Sequence, residues 1–130
     1  MRVILGACLA AGLVALPALS DDTGQSEYMI ACAGCHGESG MGDGPLAPLL
    51  NISTPSLTTL AAQNDGEFPF AEVFLAVDGR GGIRAHGSEM PVWGERFSAT
   101  ALGDAFPDTA ELIARGRVLS LVYYLQSIQE

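Results

Sequence analysis

The stretch ACAGCHGESG, residues 31–40, constrains this chain more than any other. Cys32 and Cys35 stand three apart, His36 follows at once, and Gly34, Gly37 and Gly40 surround them. Any fold that forms must bring two thiols and an imidazole to one place. Three chemistries use that order: a thiol–disulfide redox pair, half of a zinc site, or covalent attachment of a haem.

The N-terminus narrows the setting. MRVILGACLAAGLVALPALSDD opens with Arg2, continues as an almost uncharged apolar run, and meets Ala18 and Ser20 at the positions a signal peptidase reads. Residues 1–20 are expected to be a cleaved secretory signal peptide and residues 21–130 a single domain. An uncleaved anchor is disfavoured, because Val3 to Leu19 falls short of the roughly 20 residues a spanning helix needs and is interrupted by Gly and Pro. Cys8 follows ILGA in the order of a lipoprotein cleavage box, but too early to leave an apolar region before the cut. The mature chain then keeps only Cys32 and Cys35, in a compartment where an ordinary dithiol is driven towards a disulfide.

All 15 acidic residues follow Ser20, against five of the six arginines and no lysine, a mature net charge of −10. Such a surface repels nucleic acid and anionic lipid and favours basic or neutral partners. A domain of about 110 residues with few, short helices buries a thin core without a staple or cofactor.

The periodicity is helical throughout, and no stretch alternates as a strand should. A first helix is predicted from Asp22, capped with help from Gln25, to about Ala33. Thr54 as cap, Pro55 at the first position and Asn64 to Gly66 as the stop predict a short second helix. Phe70, Val73, Phe74 and Val77, between Pro69 and Gly79, predict a third with one apolar face. The last and longest is predicted to start in an Asp108/Glu111 capping box and reach about Gln129, with Leu121, Tyr124, Leu125 and Ile128 in one stripe and Gly116 inside it. Gly37 to Thr54 and Arg80 to Ala99 are left as long non-helical segments, expected to wrap something.

A thioredoxin-like pair needs its motif at the start of a helix after a strand, and here it ends a helix. A zinc site needs four ligands, and only His36 and His86 remain beside the cysteines, with Cys35 and His36 adjacent. In haem attachment the two thiols add to the porphyrin vinyl groups while the adjacent His36 reaches the iron. An axial partner is then needed, and AHGSEMPVWG supplies Met90 and His86. Met90 precedes Pro91 and Trp93, so its thioether is held in a stiff, aromatic segment. Met29 lies within four residues of Cys32, and Met41 lies in a polar Gly-Asp loop. His86, among Ala85, Gly87 and Ser88, reads as a surface histidine.

With these residues in view, the mature chain resembles a small bacterial class I c-type cytochrome from about Gly24 to Ile128. The resemblance is carried by Gly24 and Tyr28 before CAGCHG, by GMGDGP after it, and by VDGRGG, MPVWG and LVYYLQSI. It implies an all-α, cytochrome c-like fold: a few short helices and long loops around one covalent haem c, with the N- and C-terminal helices crossing. Gly24 and Tyr28 would then meet the terminal helix near Tyr124, and Gly116 would gain a packing purpose. The resemblance also implies a proline carbonyl behind His36, from Pro45 or Pro48, and haem propionates held by Arg80, Arg84 or Trp93.

The function expected is one-electron transfer by a periplasmic carrier whose iron is held by His36 and Met90, with no open site for substrate and so no enzymatic activity. The alternatives are a haem subunit held in a periplasmic dehydrogenase or oxidase complex, and a haem sensor or enzyme with a labile sixth position. For the last, SEMPVWG offers no acid or base apart from Glu89. Redox partners are expected to present a basic or apolar docking face. Neither nucleic acid nor a membrane span of the mature chain is expected.

Overall fold

The structure, a computed structural model, describes residues 22–82, 90–103 and 106–130. Five helices in chain order make up the regular structure there: α1 (Asp22–Ala31), α2 (Ala33–His36), α3 (Phe70–Asp78), α4 (Trp93–Ala101) and α5 (Pro107–Ser127), with a 3-10 turn at Ala47–Leu49. No strand occurs among the described residues.

The long helix α5 is the axis of the molecule, and α1, α3 and α4 each pack on it. Ala110, Ala114, Val118, Leu121, Val122 and Leu125 are its buried residues, spaced by three and four so that they share one face. Tyr28, Cys32, Ala33, Val77 and Phe97 complete the core from the other helices.

α1 crosses α5 at Gly24. A Cβ there would collide with the Ser120 carbonyl and lie 3.0 Å from Tyr124 Cβ, so only glycine lets the two backbones meet. One turn on, Tyr28 is wholly buried, its ring 5.2 Å from that of Tyr124, and its hydroxyl donates to the Gly37 carbonyl at 2.6 Å. The crossing expected near Tyr124 is therefore present. Gly116 is not part of it: the residue is exposed, and a Cβ there would have nothing within 4 Å. A fork from Arg117 to Glu27, at 2.6 and 2.8 Å, closes the α1–α5 contact, and the same guanidinium lies 4.1 Å over the Phe97 ring of α4.

Three sequence expectations need correction. The predicted second helix does not form: residues 57–66 run as successive turns, with Gln63 N–H bonded to Thr59 O but Asn64 and Gly66 N–H both bonded to Ala61 O. Gln129 anchors this segment, its amide donating to Leu57 O at 2.8 Å and accepting from Ala61 N–H at 2.9 Å. Asp108 and Glu111 form no capping box; Pro107 starts α5 after an extended Phe106, and Glu111 bonds Arg80 and Arg115 instead. Finally, the second half of the segment expected to be non-helical holds α4. Its signal was Trp93, Phe97 and Ala101 at i, i+4 and i+8, with Glu95 in the first turn.

Candidate functional site

The Cys-x-x-Cys-His motif folds as a single helical turn. His36 N–H bonds Cys32 O at 2.9 Å and Gly37 N–H bonds Ala33 O at 2.9 Å, so Cys32, Cys35 and His36 fall at i, i+3 and i+4 on one face. A helix this short leaves its last carbonyls without partners inside it. The glycine-rich loop returns to supply them: Leu46, Gly44 and Gly42 N–H bond the carbonyls of Gly34, Cys35 and His36 at 2.8, 3.1 and 2.7 Å. The motif is thereby locked by backbone bonds, independent of its side chains.

His36 is 7% exposed, and its Nδ1 lies 3.2 Å from the Pro55 carbonyl. With the proton on Nδ1, that carbonyl accepts it and Nε2 keeps its lone pair. Pro55 therefore stands where Pro45 or Pro48 was expected. Both of those prolines are exposed, and Pro48 belongs to the 3-10 turn.

The cysteine, histidine and methionine side chains singled out in the sequence meet in one apolar cleft with two lobes of about 470 and 550 Å³. Cys32, His36, Pro55 and Met90 line both lobes. Cys35, Ile52, Thr54 and Trp93 border the first, and Leu57, Val73, Val77 and Leu121 the second. Most of the wall is aliphatic or aromatic. One group departs from this: Thr54 Oγ1 is buried without a hydrogen-bond partner. An unsatisfied hydroxyl costs about 1–3 kcal/mol, which a polar group of an occupant would recover.

Burial, then the neighbouring Cys35 and Glu27, push the Cys32 thiol up to about 12. A thiol activated for disulfide exchange shows the opposite shift. Among the described residues, moreover, no group of three or more His, Cys, Asp and Glu side chains is arranged to hold a metal ion.

The Cytochrome c family model matches residues 22–105. The chain belongs to the cytochrome c family. No match was found among curated proteins or among solved structures. Membership brings a covalently bound haem c and haem-based electron transfer, and the all-helical architecture agrees with the family's fold. The cleft fits the group: an apolar disc matches its walls, two thiols on one helical face match two vinyl groups, and the Thr54 hydroxyl offers a donor to a carboxylate.

The propionate candidates separate. Trp93 borders the cleft. Arg80 is taken up by Asp78 and Glu111, both at hydrogen-bond distance. Arg84 and His86 lie outside the described residues. Sequence reasoning missed Pro55 and Thr54 as parts of the site because it assigned them to the start of a helix.

Proposed function

We propose that the protein is a periplasmic electron carrier whose haem c is joined to Cys32 and Cys35 and ligated by His36 and Met90. The observation that carries this reading is the convergence of those four side chains on one apolar cleft. When bound, the haem supplies a single iron that alternates between Fe(III) and Fe(II). The chain's own residues do the rest. The Pro55 carbonyl holds the His36 ring by Nδ1 and aims Nε2 into the cleft. Met90 borders the same cleft, flanked by Pro91 and by Trp93, whose ring lies 5.7 Å from that of Phe97. The aliphatic walls exclude water and so limit reorganisation when charge changes. With His36 and Met90 both holding the iron, it would offer no place to a substrate, which is the reading of a carrier rather than an enzyme.

Delivery to the periplasm rests on the residue 1–20 signal, and no helix among the described residues is long and apolar enough to cross a membrane. The test is chemical. Acid denaturation and solvent extraction should leave haem on the polypeptide, and Cys35→Ala should retain one thioether link. Haem that leaves the wild-type chain would refute the attachment.

A second reading, a subunit held in a redox complex, is favoured by one feature. Leu112, Leu119 and Tyr123 are 72%, 39% and 53% exposed along the outer face of α5. Such a stripe is what a permanent apolar contact would cover. Electron exchange that is insensitive to salt would support this reading over the free carrier.

A further inference from the structure

Met90 stands near the end of the segment that joins α3 to α4, and the two ends of that segment meet. Gly79, the left-handed C-cap of α3, is so close to Val92, the residue before α4, that a Cβ on it would lie 3.3 Å from Val92 Cγ1. Beside this neck lies Asp78, buried despite its charge. Arg80 clasps it: Nε lies 3.0 and 3.1 Å from the two carboxylate oxygens and Nη2 lies 2.6 Å from Oδ1. The remaining nitrogen, Nη1, reaches Glu111 of α5 at 2.5 Å, and the other Glu111 oxygen accepts from Arg115 at 2.6 Å.

α4 is laid directly on this ion pair. A Cβ on Gly94, in the first turn, would overlap Asp78 Oδ1 and Arg80 Nε. Val92 gives α4 no side-chain cap bond, and the Asp78 carboxylate adds to that of Glu95 a second negative charge at the positive end of the helix. Only Pro91, Val92 and Trp93 separate Met90 from Gly94, and Pro91 has a fixed φ. Wherever the first turn of α4 is held, the thioether is held with it.

We infer that Asp78, Arg80 and Glu111 form a latch that positions Met90 over the cleft, tying the start of α4 to the end of α3 and to α5. The inference rests on the reading of Met90 as iron ligand. Arg80 is the centre of the latch: its planar fork satisfies both Asp78 oxygens while a third nitrogen spans to α5, an arrangement a lysine cannot reproduce. Without it, Asp78 becomes a buried carboxylate without its cation, the tie from the end of α3 to α5 is lost, and the neck under α4 is free to rearrange so as to hydrate the charge. Arg80, Asp78 and Glu111 are positioning residues, acting on the iron only through Met90.

The test uses the haem-loaded ferric protein and two readouts, the methionine–iron charge-transfer absorption and the affinity for added imidazole. Wild type and Arg115→Gln should keep the band. Arg80→Gln should lose it and bind imidazole at least about tenfold more tightly, a shift of about 1.4 kcal/mol. Arg80→Lys should restore part of both, and Glu111→Gln should show a smaller effect of the same sign. If Arg80→Gln and Glu111→Gln keep the wild-type band and imidazole affinity, whatever their thermal stability, the latch is refuted. Should Arg80→Gln fail to mature, Glu111→Gln against Arg115→Gln decides the matter. A wild type without the band, or a Met90→Ala protein that keeps it, would instead overturn the ligand reading on which the latch depends.

Discussion

The His36 ring takes its orientation from a backbone carbonyl 19 residues away, and no side-chain pattern announces that contact. Proline after the motif is a legible requirement, but which proline depends on how the glycine loop folds back over residues 34–36, and that is a matter of backbone hydrogen bonds. The candidate side chains were legible, since Cys32, Cys35 and His36 are set by local spacing and Met90 by its stiff surroundings, and all four border the same cleft. Tyr28 offers a test at this scale. Its hydroxyl bond to the Gly37 carbonyl is buried, so Tyr28→Phe leaves that acceptor unpaired beside the motif and should cost about 1–3 kcal/mol. Urea unfolding of the haem-loaded protein measures it, and an unchanged midpoint would show that water replaces the hydroxyl. At Gly24 the effect is steric. Gly24→Ala forces the α1–α5 crossing apart and should cost about 1–3 kcal/mol, whereas Gly116→Ala, with open space around it, should be neutral or stabilising.

Among the elements, α3 was readable from its apolar period between proline and glycine, and α5 from its length and from the Leu121, Tyr124, Leu125 and Ile128 stripe towards its end. α4 was missed because its period rests on only three residues, Trp93, Phe97 and Ala101, directly after the Met-Pro pair. The failed second helix had good end signals. Tertiary contacts overrode them: the Pro55 carbonyl is used by His36, and Gln129 competes for the backbone at Leu57 and Ala61. Glu111 was assigned to a cap and instead joins elements. The bonds from Arg115 and then from Arg80 hold its carboxyl below the usual glutamate range. A carboxylate with a lowered folded pKa stabilises the fold above its unfolded value, about 4.3 for glutamate, and loses that contribution as pH falls through the folded one. Thermal unfolding of the haem-loaded protein in steps below pH 5 should therefore show a shallower acid decline for Glu111→Gln than for wild type. Equal slopes would mean that the Arg80 and Arg115 bonds to Glu111 do not persist in solution.

For the whole molecule, the helices border an apolar cleft lined by Cys32, His36 and Met90, and the haem c that family membership implies would complete the core there. This was foreseeable from size alone, because so few short helices bury too little by themselves. The surface carries the partner preference. With a net charge of −9 over the full sequence and no lysine, the protein should exchange electrons faster with a lysine-rich than with an acid-rich redox protein. The preference should shrink as ionic strength rises towards 0.15 M, where the Debye length is about 8 Å. Stopped-flow rates against both partners across a salt series test this, and faster exchange with the acidic one at every salt concentration would place docking on a local arginine cluster. Arg96, whose guanidinium lies 5.4 Å over the ring of Trp93 at the border of the cleft, is placed to take part in such docking.

The central claim is that His36 and Met90 together saturate the iron, and carbon monoxide added to the reduced protein addresses it most directly. The wild-type absorption spectrum should not change, while Met90→Ala should convert fully to the carbon monoxide adduct. Adduct formation by the wild type at the same gas concentration would contradict the claim and identify a protein that binds ligands at its haem rather than only passing electrons through it.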